Sequence, residues 1–92
     1  MNKKELIDSI ADATGESRRL VNDVLDTTIT QIQQQVKKGE RVSLPGFGTF
    51  ERRNRSARTA RNPRTGEEIK VPATKVPAFK PGSSFKDFVS GR

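Results

Sequence analysis

The stretch "RVSLPGFGTFERR", Arg41 to Arg53, decides the fold, because its hydrophobic residues are spaced differently from those before it. In Arg41–Leu44 and Gly48–Arg53 the hydrophobic residues alternate with polar ones at a period of two, which predicts two β-strands. The connecting "PGFG" holds a proline and two glycines, residue types that tight turns require. The chain is therefore expected to change from helix to antiparallel sheet at this stretch.

Two helices are predicted before it. Asn2–Ala13 begins with a capping Asn and has Glu5 three residues on, as in a capping box, and Gly15 breaks the helix. A second helix follows from Ser17, its cap, to Lys38, and Gly39 suits its C-terminal cap. Both carry an apolar stripe that we interpret as core packing. The stripe of the second helix comprises Leu20, Val21, Val24, Leu25, Ile29, Ile32 and Val36.

A third strand is predicted at Ile69–Val71, continuing after Pro72 into Lys75–Phe79. Pro72 and Pro77 would confine it to an edge or a bulge, because proline donates no backbone hydrogen bond. Helices followed by strands place the chain in the α+β class.

The last segment, "GSSFKDFVSGR", predicts a short helix capped by Ser83 or Ser84. Phe85, Phe88 and Val89 are expected to face inward from it. The phenylalanines all lie in the second half of the chain and are expected to fill the sheet side of the core. They are Phe47, Phe50, Phe79, Phe85 and Phe88.

Between the strands lies "RRNRSARTARNPRTGEEI", Arg52–Ile69, with six arginines before Gly66 and no large apolar residue until its end. "NPRTG" predicts a type I turn continued by a glycine of positive φ, as at a hairpin tip. The base of this two-stranded arm is expected to join Glu51, Arg53 and Arg55 on one side to Ile69 and Val71 on the other. Such an arm is barely stable alone and should be mobile until a partner orders it.

The size and composition point to a partner subunit. Without the arm, only part of the 92 residues can build a core, and domains this small are marginal alone. The chain contains no Cys and no His, which removes disulfides and leaves only carboxylates as metal ligands. Oligomerisation is therefore the expected source of additional core, and no cofactor is expected.

The charge points to a polyanion. Residues 1–50 are balanced, whereas residues 51–92 carry eleven basic and four acidic residues, and hence the whole net charge of +7. Nucleic acid is the first expectation and an anionic membrane surface the second. No signal peptide or membrane span is visible, so the protein is expected to stay where it is made. The absence of aromatic residues between Glu51 and Ala78 argues against base stacking on single strands.

A double-stranded DNA arm is the favoured interpretation of this segment, and Pro63 would be the apolar wedge at its tip. A solvated basic loop, in which Pro63 serves only the turn, is the plain alternative, followed by an RNA or membrane contact. An enzyme is not expected, because the chain lacks His, Cys, Tyr, Trp and a phosphate-binding glycine loop.

Four motifs carry a resemblance to the bacterial histone-like HU family over essentially the whole chain: "MNKKELID", "GFGTF", "RNPRTGEEI" and "KVPAFKPG". The resemblance implies an intertwined homodimer with a helical body, a sheet saddle and two arms that wrap DNA through the minor groove. It places arm contacts at Arg53, Arg55, Arg58, Arg61, Asn62, Pro63 and Arg64, with Pro63 as the intercalating wedge. It places saddle and body contacts at Lys3, Gly46, Gly48, Lys75, Lys80 and Lys86. The chain departs from the family's usual residues at Ala60, Ser83, Phe85 and Phe88.

The resemblance implies one domain over residues 1–92, made of four kinds of segment. These are a helical dimerisation part (1–39), saddle strands (40–54 and 72–82), a flexible arm (55–71) and a C-terminal helix (83–92). The expected function is architectural: binding double-stranded DNA without strong sequence specificity, bending it and compacting the nucleoid in the cytoplasm. The alternatives are a sequence-specific bending protein of the integration host factor type and an RNA-binding or ribosome-associated protein. A heterodimer with a paralogue is the alternative to the homodimer.

Overall fold

The computed structural model describes residues 1–91, and Arg92, the last residue of the predicted C-terminal segment, lies outside the described residues. The α+β class is confirmed. The elements are α1 (Lys3–Thr14), α2 (Arg18–Lys37), β1 (Val42–Leu44), β2 (Gly48–Arg55), β3 (Arg58–Arg61), β4 (Glu68–Val71), β5 (Thr74–Pro81) and α3 (Ser83–Ser90). They form two compact units, Met1–Gln34 and the chain from Gln35 onward, which are described separately below.

Local side-chain bonds begin both long helices, as the sequence predicts. The Asn2 Oδ1 atom accepts a hydrogen bond from the Glu5 backbone N–H at 2.8 Å, and Gly15 ends α1 with a φ of 76°. The Ser17 Oγ atom accepts from the Leu20 N–H at 3.1 Å and so caps α2. Each of these bonds satisfies a backbone donor that the helix itself leaves free.

The first unit has a small core. Ile7, Ala11 and Val21 are buried, and Ile10 and Leu25 pack against them half-buried. Other large apolar side chains of the same two helices are exposed to solvent in the single chain: Leu6, Leu20, Val24 and Ile29.

The second unit contains a three-stranded antiparallel sheet in the order β1-β2-β5. Phe50 of β2 lies opposite Val42 of β1 and Phe79 of β5, so these three side chains share one face. The ring of Phe47 lies 5.1 Å, centroid to centroid, from the rings of both Phe79 and Phe85. The predicted aromatic cluster therefore forms without Phe88, and it is only partly buried, because Phe47 and Phe79 are 43% and 36% exposed in the single chain.

One strand prediction is wrong. Ile69–Val71 and Lys75–Phe79 do not form one strand, because they belong to β4 and β5, which lie in different sheets. Pro72 and Ala73 separate them, and proline cannot donate to a ladder. The expectation that the prolines lie on an edge is confirmed for Pro77, since β5 is an edge strand.

The prediction for α3 needs two corrections. Its N-cap is Gly82, with no side-chain cap bond, so neither Ser83 nor Ser84 caps the helix. Phe85 is half-buried among the aromatic rings, but Phe88 and Val89 are 86% and 72% exposed in the single chain. Residues three and four apart share one helical face, so Phe88 and Val89 lie on the face of Phe85 but extend it one turn beyond the rings that Phe85 contacts.

Candidate nucleic-acid interface

The arm has an outer part formed by β3 and β4. Arg58 pairs with Val71 and Arg61 pairs with Glu68 in an antiparallel ladder. This outer ladder is separated from the β2–β5 ladder, whose last pair is Arg55 with Thr74. Two residues on each strand interrupt the pairing. The outer arm is therefore joined to the sheet by two short segments that belong to neither ladder. These interrupting residues are Ser56, Ala57, Pro72 and Ala73.

The register corrects the predicted base of the arm. Arg53 and Arg55 pair with β5, opposite Val76 and Thr74. Ile69 and Val71 instead pair with β3 of the outer arm. The two sets therefore do not meet, and the hairpin is longer and more interrupted than a single ladder from Arg53 to Val71.

The tip has the predicted turn chemistry. Gly66 has a φ of 71°, a left-handed conformation that glycine adopts without a steric cost. The Gly66 N–H donates to the Asn62 carbonyl at 2.8 Å, and the Asn62 N–H donates to the Glu67 carbonyl at 2.8 Å. The Asn62 side chain accepts from the Arg64 N–H at 2.9 Å, an Asx turn. Pro63 is exposed at the end of this closed loop.

The outer arm has two unlike faces, because residues directly opposite in an antiparallel pair share a face. Arg58 lies with Val71, and Ala60 lies with Ile69 on the same face. The opposite face holds Arg61, beside Glu68, together with the pair of Thr59 and Lys70. Arg58 and Arg61, both predicted as arm contacts, therefore project from opposite faces.

The predicted arm arginines are exposed to solvent and available to an external partner. Arg53, Arg55, Arg58, Arg61 and Arg64 are all exposed, and within residues 1–91 none of them forms an ion pair. Exposed guanidinium groups keep all their donors available for an external acceptor. This arrangement suits bidentate bonds to phosphate oxygens.

The outer face of the three-stranded sheet extends the basic surface. Arg53, Arg55 and Lys80 lie on one face, opposite to the face that carries Phe50. Glu51 on that outer face has a side chain only 13% exposed, and its carboxylate lies 3.9 Å from both Arg41 and Lys80. The carboxylate separates the two cations and reduces their mutual repulsion.

Lys75 does not join that surface. It pairs with Asn54, which lies on the same side of the sheet as Phe50, so Lys75 and Lys80 project from opposite faces. Lys86 is exposed on α3. In the first unit, Lys3 is bonded to Asp26 at 2.7 Å, so contact with an external anion would compete with an existing ion pair.

The two glycines predicted at the saddle differ in their surroundings. Gly46 has a φ of 83° and no heavy atom within 4 Å of the position of a Cβ, so its backbone is open. Gly48 is buried, and a Cβ there would lie 2.6 Å from the Lys80 carbonyl oxygen and from the Phe79 ring. Close packing of β2 and β5 is thus sufficient reason for Gly48.

Sequence reasoning did not assign roles to Arg52, Arg41 and Lys70. The Arg52 guanidinium donates to the Lys37 carbonyl at 3.1 Å. Strand alternation was the available signal, since Arg52 shares the face of Phe50 whereas Arg53 does not. Arg41 lies beside Glu51 of the sheet, and Lys70 lies on the outer arm. In the sequence, only their basic charge indicated a place in the interface.

Other types of site are not found in the part of the chain that the structure describes. No group of three or more potential metal-ligating side chains occurs among residues 1–91. Over the same residues, no helix combines the length and apolar character that crossing a bilayer requires.

The chain is similar to known proteins over its full length. The family model described as bacterial DNA-binding protein matches residues 1–90. DNA-binding protein HU 1 of Bacillus subtilis strain 168 is 50% identical over 92 residues, the whole of both chains. DNA-binding protein HU of Geobacillus stearothermophilus is 49% identical over 89 residues, covering 97% of this chain and 99% of that protein.

Solved structures agree with this similarity. A cocrystal structure of Anabaena HU with DNA has a TM-score of 0.92 at 41% identity, covering all of both chains. HU from Thermotoga maritima has a TM-score of 0.70 at 36% identity, covering 97% of this chain and 98% of that one.

Proposed function

The chain belongs to the bacterial DNA-binding protein family, and on that premise we propose how it binds its target. It is an architectural protein that binds double-stranded DNA without strong sequence specificity, bends it and compacts it in the nucleoid. The HU relatives and the HU–DNA cocrystal support this function over the integration host factor and RNA-binding alternatives. The family's activity is DNA binding rather than catalysis.

One observation carries the proposed mode of binding. The five exposed arginines have no ion-pair partner among the described residues, and they run from the outer sheet face along the arm to the tip that presents Pro63. Guanidinium groups bond to phosphates of any sequence and are attracted into a narrow minor groove, where negative potential is concentrated. Because Arg58 and Arg61 project from opposite faces, an arm lying in the groove would reach both of its walls.

Pro63 is the proposed wedge. It is a rigid apolar side chain held by the bonds of Asn62 and Gly66, so inserting it costs little further ordering. Apolar wedges in the minor groove partly unstack a base step and kink the duplex, and unstacking costs about a few kcal/mol. The contacts that a bent duplex makes with Arg53, Arg55 and Lys80 on the outer sheet face would offset that cost.

A second copy of this chain completes the proposed assembly. In the first unit, an open apolar groove of about 260 Å³ runs between α1 and α2. In the second unit, Phe88 and Val89 are exposed. A monomer of 92 residues rarely exposes so many large apolar side chains, so a homodimer is the assembly that would cover them.

The test of this function is a binding series on several DNA forms. Affinity is measured on random-sequence and defined duplexes that are intact, nicked or folded into a four-way junction, at one stated salt concentration. Similar affinity on unrelated intact duplexes and tighter binding to kinked forms are expected. A strong preference for one defined duplex would favour the integration host factor type, and equal affinity for an RNA duplex would favour the RNA alternative.

A further inference from the structure

Arg52 differs from the other five arginines of the segment Arg52–Ile69. Its guanidinium Nη1 donates to the Lys37 carbonyl oxygen at 3.1 Å, and its side chain is half-buried. Arg53, the next residue, projects from the opposite face of β2 and is exposed. Adjacent arginines of equal charge therefore have different surroundings.

The carbonyl that Arg52 binds is one that the end of α2 leaves free. The Gly39 N–H donates to the Val36 carbonyl and the Glu40 N–H donates to the Gln35 carbonyl, each at 3.0 Å. These two bonds form a Schellman motif. The motif satisfies the carbonyls of Gln35 and Val36 but not the carbonyl of the last helical residue. That last carbonyl belongs to Lys37, and a cation there also interacts favourably with the helix dipole.

Gly39 makes room for the guanidinium. A Cβ at this position would lie 3.1 Å from Nη2 and 3.4 Å from Cζ of Arg52. Gly39 also has a φ of 90°, which an L side chain rarely adopts. The end of α2 thus holds Arg52 through the hydrogen bond to Lys37, and Gly39 leaves the space that the guanidinium occupies.

The position of Arg52 along β2 gives this contact a mechanical role. The β1–β2 ladder ends at the pair of Val42 and Phe50. Beyond Phe50, among residues 1–91, the backbone of β2 pairs with β5 alone, up to Arg55, where the break before the outer arm begins. The Arg52 contact therefore restrains β2, from the face that carries Phe50, in the stretch that β1 no longer pairs.

We propose that Arg52 is a positioning residue, which fixes the direction in which the arm leaves the sheet and so sets the bend of bound DNA. The inference rests on the proposed function, because it concerns the arm that bends the duplex. Arg52 acts through the backbone of β2 and makes no phosphate contact of its own.

The test compares Arg52→Met with Arg53→Met, which removes the same charge from the adjacent residue on the outer face. Bending is read by energy transfer between the labelled ends of a duplex at saturating protein, and affinity is titrated against salt. Arg52→Met should lower the energy transfer. It should change the slope of log affinity against log salt by less than half of the ~0.9 that one phosphate contact contributes. Arg53→Met should lower the slope by ~0.9 for each copy that contacts phosphate and should keep more of the energy transfer.

Arg52→Lys supplies a conservative rescue, because an ammonium group can also donate to the Lys37 carbonyl. It should restore part of the energy transfer that Arg52→Met loses, with both variants folded by circular dichroism at the assay temperature. Energy transfer in Arg52→Met equal to that of the parent would overturn the inference while the proposed function stands. A slope loss in Arg52→Met as large as that in Arg53→Met would also overturn it, by showing a direct phosphate contact. If the parent binds no duplex, the proposed function fails, and the inference with it.

Discussion

The ring of Phe79 covers the α-carbon of Gly48: a Cβ built on Gly48 would lie 2.6 Å from the Cε1 and Cζ atoms of that ring. The Lys80 carbonyl oxygen lies equally close on β5, at 2.6 Å. Flexible side chains can move away from a new methyl group, but a carbonyl in a paired ladder cannot move without disturbing the pairing. The absence of a side chain at Gly48 therefore allows β2 and β5 to pair closely where their ladder begins.

Gly48→Ala should therefore destabilise the fold. Overpacking of this kind costs about 1–3 kcal/mol, which chemical denaturation at one fixed protein concentration can measure. Gly82→Ala is the matched control, because its φ is −73° and a Cβ there would meet its nearest atom, the Phe47 carbonyl oxygen, at an ordinary 3.5 Å. A loss for Gly48→Ala no larger than that for Gly82→Ala would contradict the packing explanation.

Pro63→Ala should reduce bending more than binding. Alanine removes the rigid apolar wedge, whereas the arginines that hold the phosphates remain. Energy transfer between duplex ends, measured at saturating protein, should fall, and the affinity for an intact duplex should change less. Bending as sharp as that of the parent would show that Pro63 serves only the turn.

Arg58→Ala and Arg61→Ala should each flatten the salt dependence of binding. Each lost phosphate contact reduces the slope of log affinity against log salt by ~0.9, or by up to ~1.8 if both arms of a dimer lose one. The loss should be similar on two unrelated duplexes, because phosphate contacts carry no base information.

Arg19→Ala is the control for these substitutions, since Arg19 is exposed on α2 and is not among the proposed contacts. Its slope should match that of the parent. Unchanged slopes for both arm substitutions would identify the arm as a solvated basic loop. A loss on only one of the duplexes would indicate sequence readout.

The chain should form an obligate homodimer whose melting temperature rises with protein concentration. Ile29, in the apolar stripe of α2, is 44% exposed in the single chain and is expected to lie in the dimer interface. Ile29→Glu should shift the assembly toward unfolded monomer, because a carboxylate would be buried without a partner. Thr30→Glu, at the adjacent exposed position, should leave the dimer intact.

Sedimentation at micromolar concentration together with circular dichroism measures this directly. A folded parent of monomeric mass would contradict the homodimer. Equal behaviour of Ile29→Glu and Thr30→Glu would place the interface elsewhere on the chain.

The sequence by itself determined the features that depend on neighbouring residues. Asn2 and Ser17 cap the long helices because their oxygens reach a backbone N–H three residues on. Gly66 marks the turn at the tip because its positive φ suits glycine. The α+β class followed from the change in hydrophobic spacing near Gly39, and the charge distribution pointed to a polyanion.

Only the tertiary structure decided the features that depend on residues far apart in the chain. Arg53 pairs with Val76 rather than with β4 because strand register depends on which surfaces bury one another, and local spacing leaves several registers open. Arg52 bonds to Lys37 and Gly48 lies under Phe79 because pairing and packing bring distant segments together. Phe88 is an apolar residue in a helix of suitable periodicity, yet it is exposed in the single chain, since the small sheet is already covered by Phe85.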